Sequence, residues 1–144
     1  NPMRPVIVIL FFMMCIMGQS CKKEENQAPT QPLNEIVDSS AMIKYSGAFT
    51  SGPYGNTSGT AEIYVQGSNY LVKLVNFSSS NGPALHVYLS KEAMPMNYFD
   101  LGSLKSTNGS QVYNIAGMPD FNQYKFISIH CVQYNHLFGS AAIN

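Results

Sequence analysis

The sequence predicts an all-β domain, an antiparallel β-sandwich or closed barrel of about eight short strands, preceded by a signal peptide and a flexible tether. Three observations carry this. Beyond residue 40 apolar and polar residues alternate at period two. Clusters of Gly, Asn, Ser and Pro recur between the alternating runs. No amphipathic stretch at helical period interrupts them.

Element by element, Ile43, Tyr45, Gly47 and Phe49 share one face of the first strand, which Gly52-Pro53-Tyr54-Gly55-Asn56 ends. Ala61, Ile63 and Val65 alternate with Glu62, Tyr64 and Gln66, and Gly67-Ser68-Asn69 turns this strand into Tyr70–Phe77 as a hairpin. Leu85, Val87 and Leu89 alternate with His86 and Tyr88. Shorter strands are expected near Phe99–Leu104 and Gln111–Ile115, and two stronger ones at Tyr124–Val132 and Leu137–Ile143. The expected core is Ile63, Val65, Leu85, Val87, Leu89, Ile127 and Ile129, with the domain spanning 41–144.

The chain of 144 residues has room for one such domain. Charged residues make up 11%, well under the roughly 25% of ordinary soluble domains. The net charge is zero, with no basic stripe, so nucleic acid is not an expected partner.

The first twenty residues read as an address. Arg4 precedes the uncharged run Val6–Met17, too short for the roughly twenty residues of a membrane-spanning helix but suited to a signal-peptide core. Gly18-Gln19-Ser20 then leads to Cys21, which resembles a lipobox, although the usual Leu three residues before the cysteine is Gly18 here. The expectation is a signal peptide over 1–20, acylation of Cys21, and a lipid anchor that makes the membrane a partner. Ordinary secretory cleavage near Ser20 is the alternative. Lys22-Lys23-Glu24-Glu25 resembles a surface-export tag, with solvated linker charge as the competing reading. Residues 26–40 contain two prolines and no sustained period, so 21–40 is expected to be a flexible tether. The expected location is the bacterial cell envelope, at the outer membrane.

Three cysteines are present, Cys15, Cys21 and Cys131. Cys15 would leave with the signal and Cys21 would carry lipid, so Cys131 stands alone in the domain with no disulfide to form. By strand parity it shares a face with Ile127 and Ile129, a position that suits an inert core cysteine.

Three stretches taken together point further. They are Gly82-Pro83-Ala84-Leu85-His86-Val87-Tyr88-Leu89-Ser90; Leu101–Lys105 with Gly109–Ile115; and Ile127-Ser128-Ile129-His130-Cys131-Val132 with Phe138-Gly139-Ser140-Ala141. Their order and spacing resemble the DM-thirteen domain, a small β-domain found in bacterial lipoproteins and beside DOMON domains in animal proteins. The resemblance covers about residues 43–143. It implies electron transfer, with a cysteine on a late strand, Cys131 here, as the redox group. The family's usual aromatic before that cysteine is His130 in this chain.

No cofactor is expected beyond one alternative. His86, Cys131 and His136 follow the ligand order of blue-copper sites, but no methionine follows His136 to act as axial ligand. Hydrolase signatures such as G-x-S-x-G and HExxH are missing from the sequence. Glu62, Glu92, Asp100 and Asp120 are the domain's carboxylates, and none is close in sequence to a histidine. The chain therefore reads more as a non-enzyme. Two roles stay open: a redox accessory acting through Cys131, and a surface adhesion or ligand-binding module whose tyrosines face outward and whose cysteine is structural. Either would have a protein or small-molecule partner.

Overall fold

The computed structural model describes residues 26–144. The expected signal peptide, Cys21 and Lys22-Lys23-Glu24-Glu25 lie outside the described residues.

Nine strands form the domain: β1 (Leu33–Asn34), β2 (Met42–Ser51), β3 (Thr57–Gln66), β4 (Asn69–Ser79), β5 (Leu85–Ser90), β6 (Tyr98–Ser103), β7 (Gly109–Ile115), β8 (Phe126–Cys131) and β9 (His136–Ala142). They make one curled sheet, a half-barrel, in the order β1-β7-β4-β3-β2-β9-β8-β5-β6. All neighbours are antiparallel except β1 and β7, which pair in parallel. The all-β expectation holds, and the sheet is mixed through that one short strand.

Sequence explains the curl. Register shifts interrupt β2–β3, β3–β4, β5–β6 and β8–β9, and each such irregularity bends the strand that carries it. At the second, Gly59 has φ +107°, a conformation open to glycine, and an added Cβ would lie 2.7 Å from the Val75 carbonyl oxygen. The concave face encloses the core. Ile63, Val72, Leu74, Phe77, Leu85, Val87, Leu89, Ile127 and Ile129 are essentially inaccessible. Each contributes roughly 1.5–3 kcal/mol through burial of its side chain.

One expected core position and one expected same-face position differ. Val65 is half-buried, because it pairs with Tyr70 near the β3–β4 hairpin, away from the enclosed centre. Ile43 is exposed, because the shift between Ile43 and Tyr45 breaks the alternation that joined it to Phe49.

The expected tether also differs from what is observed. From Asn26 the chain lies against the domain. β1 adds to the β7 edge, Thr107 N donates to the Pro29 carbonyl, and Ser106 Oγ donates to that of Gln31. Glu35 accepts from Lys105 Nζ and from Val112 N, both at 2.9 Å, which together hold its carboxyl below the usual range. Low hydrophobicity suggested a free segment, but backbone pairing along an open sheet edge needs no apolar side chains.

The β6–β7 loop is fixed from inside. Gln111, fully buried, accepts from Tyr113 Oη at 2.6 Å and donates Nε2–H to the Ser106 carbonyl at 2.9 Å. Tyr113 Oη in turn accepts from Lys105 N. Every polar group of this pair is thereby matched to the loop backbone, as burial requires.

Candidate functional site around Cys131

Cys131 ends β8 on its core face, paired with Leu85 on one side and His136 on the other. It is 1% exposed, and its Sγ–H donates to the Pro83 carbonyl at 2.9 Å. The cover over the sulfur is the loop Asn81–Ala84. Ala84 has φ +50°, which for a residue with a Cβ costs about 1–2 kcal/mol. This turn directs two successive carbonyls at the end of β8: Pro83 O receives the thiol, and Ala84 O receives Val132 N at 3.0 Å.

The N-terminal segment holds the loop in place. Asn81 Oδ1 accepts from Ala28 N and Gly82 N, while Asn81 Nδ2 donates to the Ala28 carbonyl at 2.8 Å. Ala84 N donates to the Asn26 carbonyl at 2.8 Å. Below the loop sits the Phe138 ring, so close that a Cβ on Gly82 would lie 2.5 Å from it.

His130 points to the opposite sheet face, as parity predicts. It is 3% exposed and packs 5.5 Å from the Tyr88 ring, which in turn stacks on Tyr98 at 4.0 Å. Tyr88 is therefore buried, unlike the outward tyrosine expected of its position, because Tyr98 and His130 cover it. Burial first, and the neighbouring Tyr98 phenol second, push its hydroxyl above the usual phenol range.

His130 Nε2–H donates to Asn135 Oδ1 at 2.8 Å, leaving Nδ1 as a buried nitrogen without a partner among the described residues. Desolvation, its largest influence, holds the imidazole below its ordinary value; the Asn135 bond opposes this and His136 adds to it. A depressed folded-state value means the unfolded chain takes up the proton more readily. Stability is then indifferent to His130 well above about pH 6.5, and falls as pH drops through that unfolded value toward the folded one. The urea midpoint should be lower at about pH 5.5 than at about pH 7.5, with a smaller drop in His130→Gln. Equal drops in both proteins would contradict the assignment.

The other histidines are engaged elsewhere. His136 stacks on Tyr54 at 3.5 Å, nearly parallel. His86 lies on the outer face, with Nδ1 2.9 Å from Asp100 Oδ2 and Nε2 3.4 Å from Ser103 Oγ. His86, Cys131 and His136, the blue-copper alternative, are not brought together. Among the described residues no three His, Cys, Asp or Glu side chains are grouped to hold a metal. The His86–Asp100 contact had no sequence signal, since the two meet only when β5 pairs with β6.

The family described as Electron transfer DM13 matches residues 48–143, two thirds of the chain. The chain belongs to the DM13 family. No curated protein and no solved structure matches it. The matched span runs from within β2 to just past β9, so it includes Cys131, its cover loop and the strands around them. The family's description makes the role of this DM13 domain one related to electron transfer.

Proposed function

We propose that this DM13 protein is a lipid-anchored electron-transfer accessory of the bacterial envelope in which Cys131 is the redox group, reached when the Asn81–Ala84 loop opens. The observation that carries the reading is the cover itself. The buried thiol donates to a carbonyl of this loop, which contains a left-handed alanine, and hydrogen bonds from the N-terminal segment tie the loop down. With no other cysteine in the domain, oxidation of Cys131 proceeds by reaction with an external disulfide or peroxide, giving a mixed disulfide or a sulfenic acid.

Anchoring bears on this directly. If Cys21 carries the lipid, four residues separate it from docked Asn26, a reach of at most about 18 Å. The end of the domain bearing Asn26, Pro83 and Cys131 then sits near the bilayer, facing partners at the membrane. Expression of the full chain with a labelled fatty acid tests the anchor. Cys21→Ala should abolish the label and release the protein into the soluble fraction; label retained in that variant would remove the anchor from the account.

The 1% exposure of Cys131 favours a second reading, a binding module with a structural cysteine. The two readings differ in whether the thiol reacts by local opening or only on unfolding.

A further inference from the structure

We infer that Ser103, His86 and Asp100 form a nucleophilic triad that takes small activated acyl esters, a site distinct from the Cys131 thiol although its cavity borders the loop over that thiol. His86 and Ser103 are cross-strand partners on the outer face of β5 and β6. Leu104 N donates to the Leu85 carbonyl at 2.8 Å, just beyond this pair, so His86 and Ser103 occupy a non-hydrogen-bonded position. In such positions side chains approach most closely.

The proton arrangement follows from the partners. Asp100 is an acceptor, with both oxygens within 3.0 Å of His86 Nδ1, so that nitrogen carries the proton. Nε2 is left with its lone pair facing Ser103 Oγ at 3.4 Å. This is the tautomer a serine nucleophile needs. Asp100 is itself fixed, because its Oδ1 accepts from Gly102 N at 2.8 Å. Gly102 adopts φ +112°, and this irregular step presents Ser103 at the open side of an edge strand. The non-hydrogen-bonded position also turns Ser103 N–H away from β5, toward that open side, where it can donate to a developing oxyanion.

Beside the pair lies a cavity of about 190 Å³ lined by Asn26–Pro29, Ala84–His86, Ser103 and Leu104. Its volume exceeds the roughly 150 Å³ that accommodates benzene in an apolar protein cavity, so an acyl group of a few carbons fits. In the reaction Ser103 Oγ attacks the acyl carbon and its proton passes to His86 Nε2. The bond to the leaving alcohol breaks, and the alcohol takes that proton. Water then attacks the acyl-serine by the same path, restoring Ser103 and releasing the acid. His86 and Asp100 side chains are 25% and 43% exposed, so the charge that develops is partly screened and turnover is slow.

The test uses the full chain with p-nitrophenyl acetate and, separately, a biotinylated fluorophosphonate. Ester hydrolysis should fall at least tenfold in Ser103→Ala and in Asp100→Asn, and peptide mass analysis should place the fluorophosphonate on Ser103. Ser103 is exposed, so its alanine variant should keep the wild-type circular dichroism and thermal midpoint. Unchanged hydrolysis in Ser103→Ala would show imidazole acting alone, and together with no label on Ser103 it would overturn the triad. The deciding readouts, loss of hydrolysis in Ser103→Ala and the position of the fluorophosphonate, are taken at Ser103 and not at the Cys131 thiol, so this inference and the redox proposal succeed or fail separately.

Discussion

Phe138→Ala should destabilise the domain by about 3–5 kcal/mol in urea unfolding, a large share of the roughly 5–15 kcal/mol that holds a domain of this size. Phe138 is 6% exposed and belongs to the core. Its ring lies directly beneath two backbone segments: an added Cβ would fall 2.7 Å from it at Gly55 and 2.5 Å at Gly82. Those glycines let the backbone rest on the ring, so its removal leaves a cavity roofed by main chain that side chains cannot fill. Phe138→Leu, which retains much of the volume, should cost less than about 1.5 kcal/mol. The same deletion undermines the Cys131 cover from below, because Gly82 is part of that loop. A loss under about 1 kcal/mol in Phe138→Ala would contradict this packing.

Asn81→Ala should raise the rate of Cys131 alkylation in the native domain about tenfold and lower global stability by about the same free energy, leaving labelling well faster than unfolding. Asn81 joins the cover to the N-terminal segment through Ala28 N, Ala28 O and its own neighbour Gly82 N. These bonds are partly exposed, so each contributes near the low end of about 0.5–1.5 kcal/mol. Together they account for roughly 1.4 kcal/mol of local closure, a tenfold change in the population of the open loop. Asn81→Asp keeps the acceptor oxygen and loses the donor, so it should fall between wild type and alanine. The measurement is iodoacetamide labelling followed by intact mass against time. An unchanged rate in Asn81→Ala would place control of the thiol somewhere other than this latch.

Strand positions were legible because one sheet face is buried throughout, and burial of alternate residues leaves a period of two in the sequence. That same parity placed Cys131 inward with Ile127 and Ile129 and His130 outward, and both placements are observed. It failed wherever register shifts: Ile43 lost its partnership with Phe49 at a bulge that no sequence period announces. The docking of Asn26–Glu35 is invisible in the sequence because backbone-to-backbone pairing leaves no hydrophobic trace.

The site was legible to a similar depth. Cys131 stood out as the domain's lone thiol and through the family resemblance, and the DM13 match includes it. Its cover was hidden, since a left-handed Ala84 is contrary to local preference and is imposed by contacts from Asn26 and Val132. The His86–Asp100–Ser103 grouping was equally hidden, because its first two members are fourteen positions apart and meet only when β5 and β6 pair. Tyr88 lies on the outward face that parity predicts, yet it is buried there. The segment after β5 folds back, Ser128 Oγ reaches the Ala93 carbonyl, and Tyr98 closes over the ring.

The central claim is that Cys131 reacts through local opening of its cover and not through unfolding of the domain. The most direct measurement is the rate of mixed-disulfide formation at Cys131 with excess glutathione disulfide in native buffer, followed by intact mass and compared with the unfolding rate extrapolated from urea. The account predicts an adduct that forms well faster than global unfolding and faster again in Asn81→Ala. An adduct appearing only at the global unfolding rate, identical in both proteins, would make Cys131 a structural residue and contradict the claim.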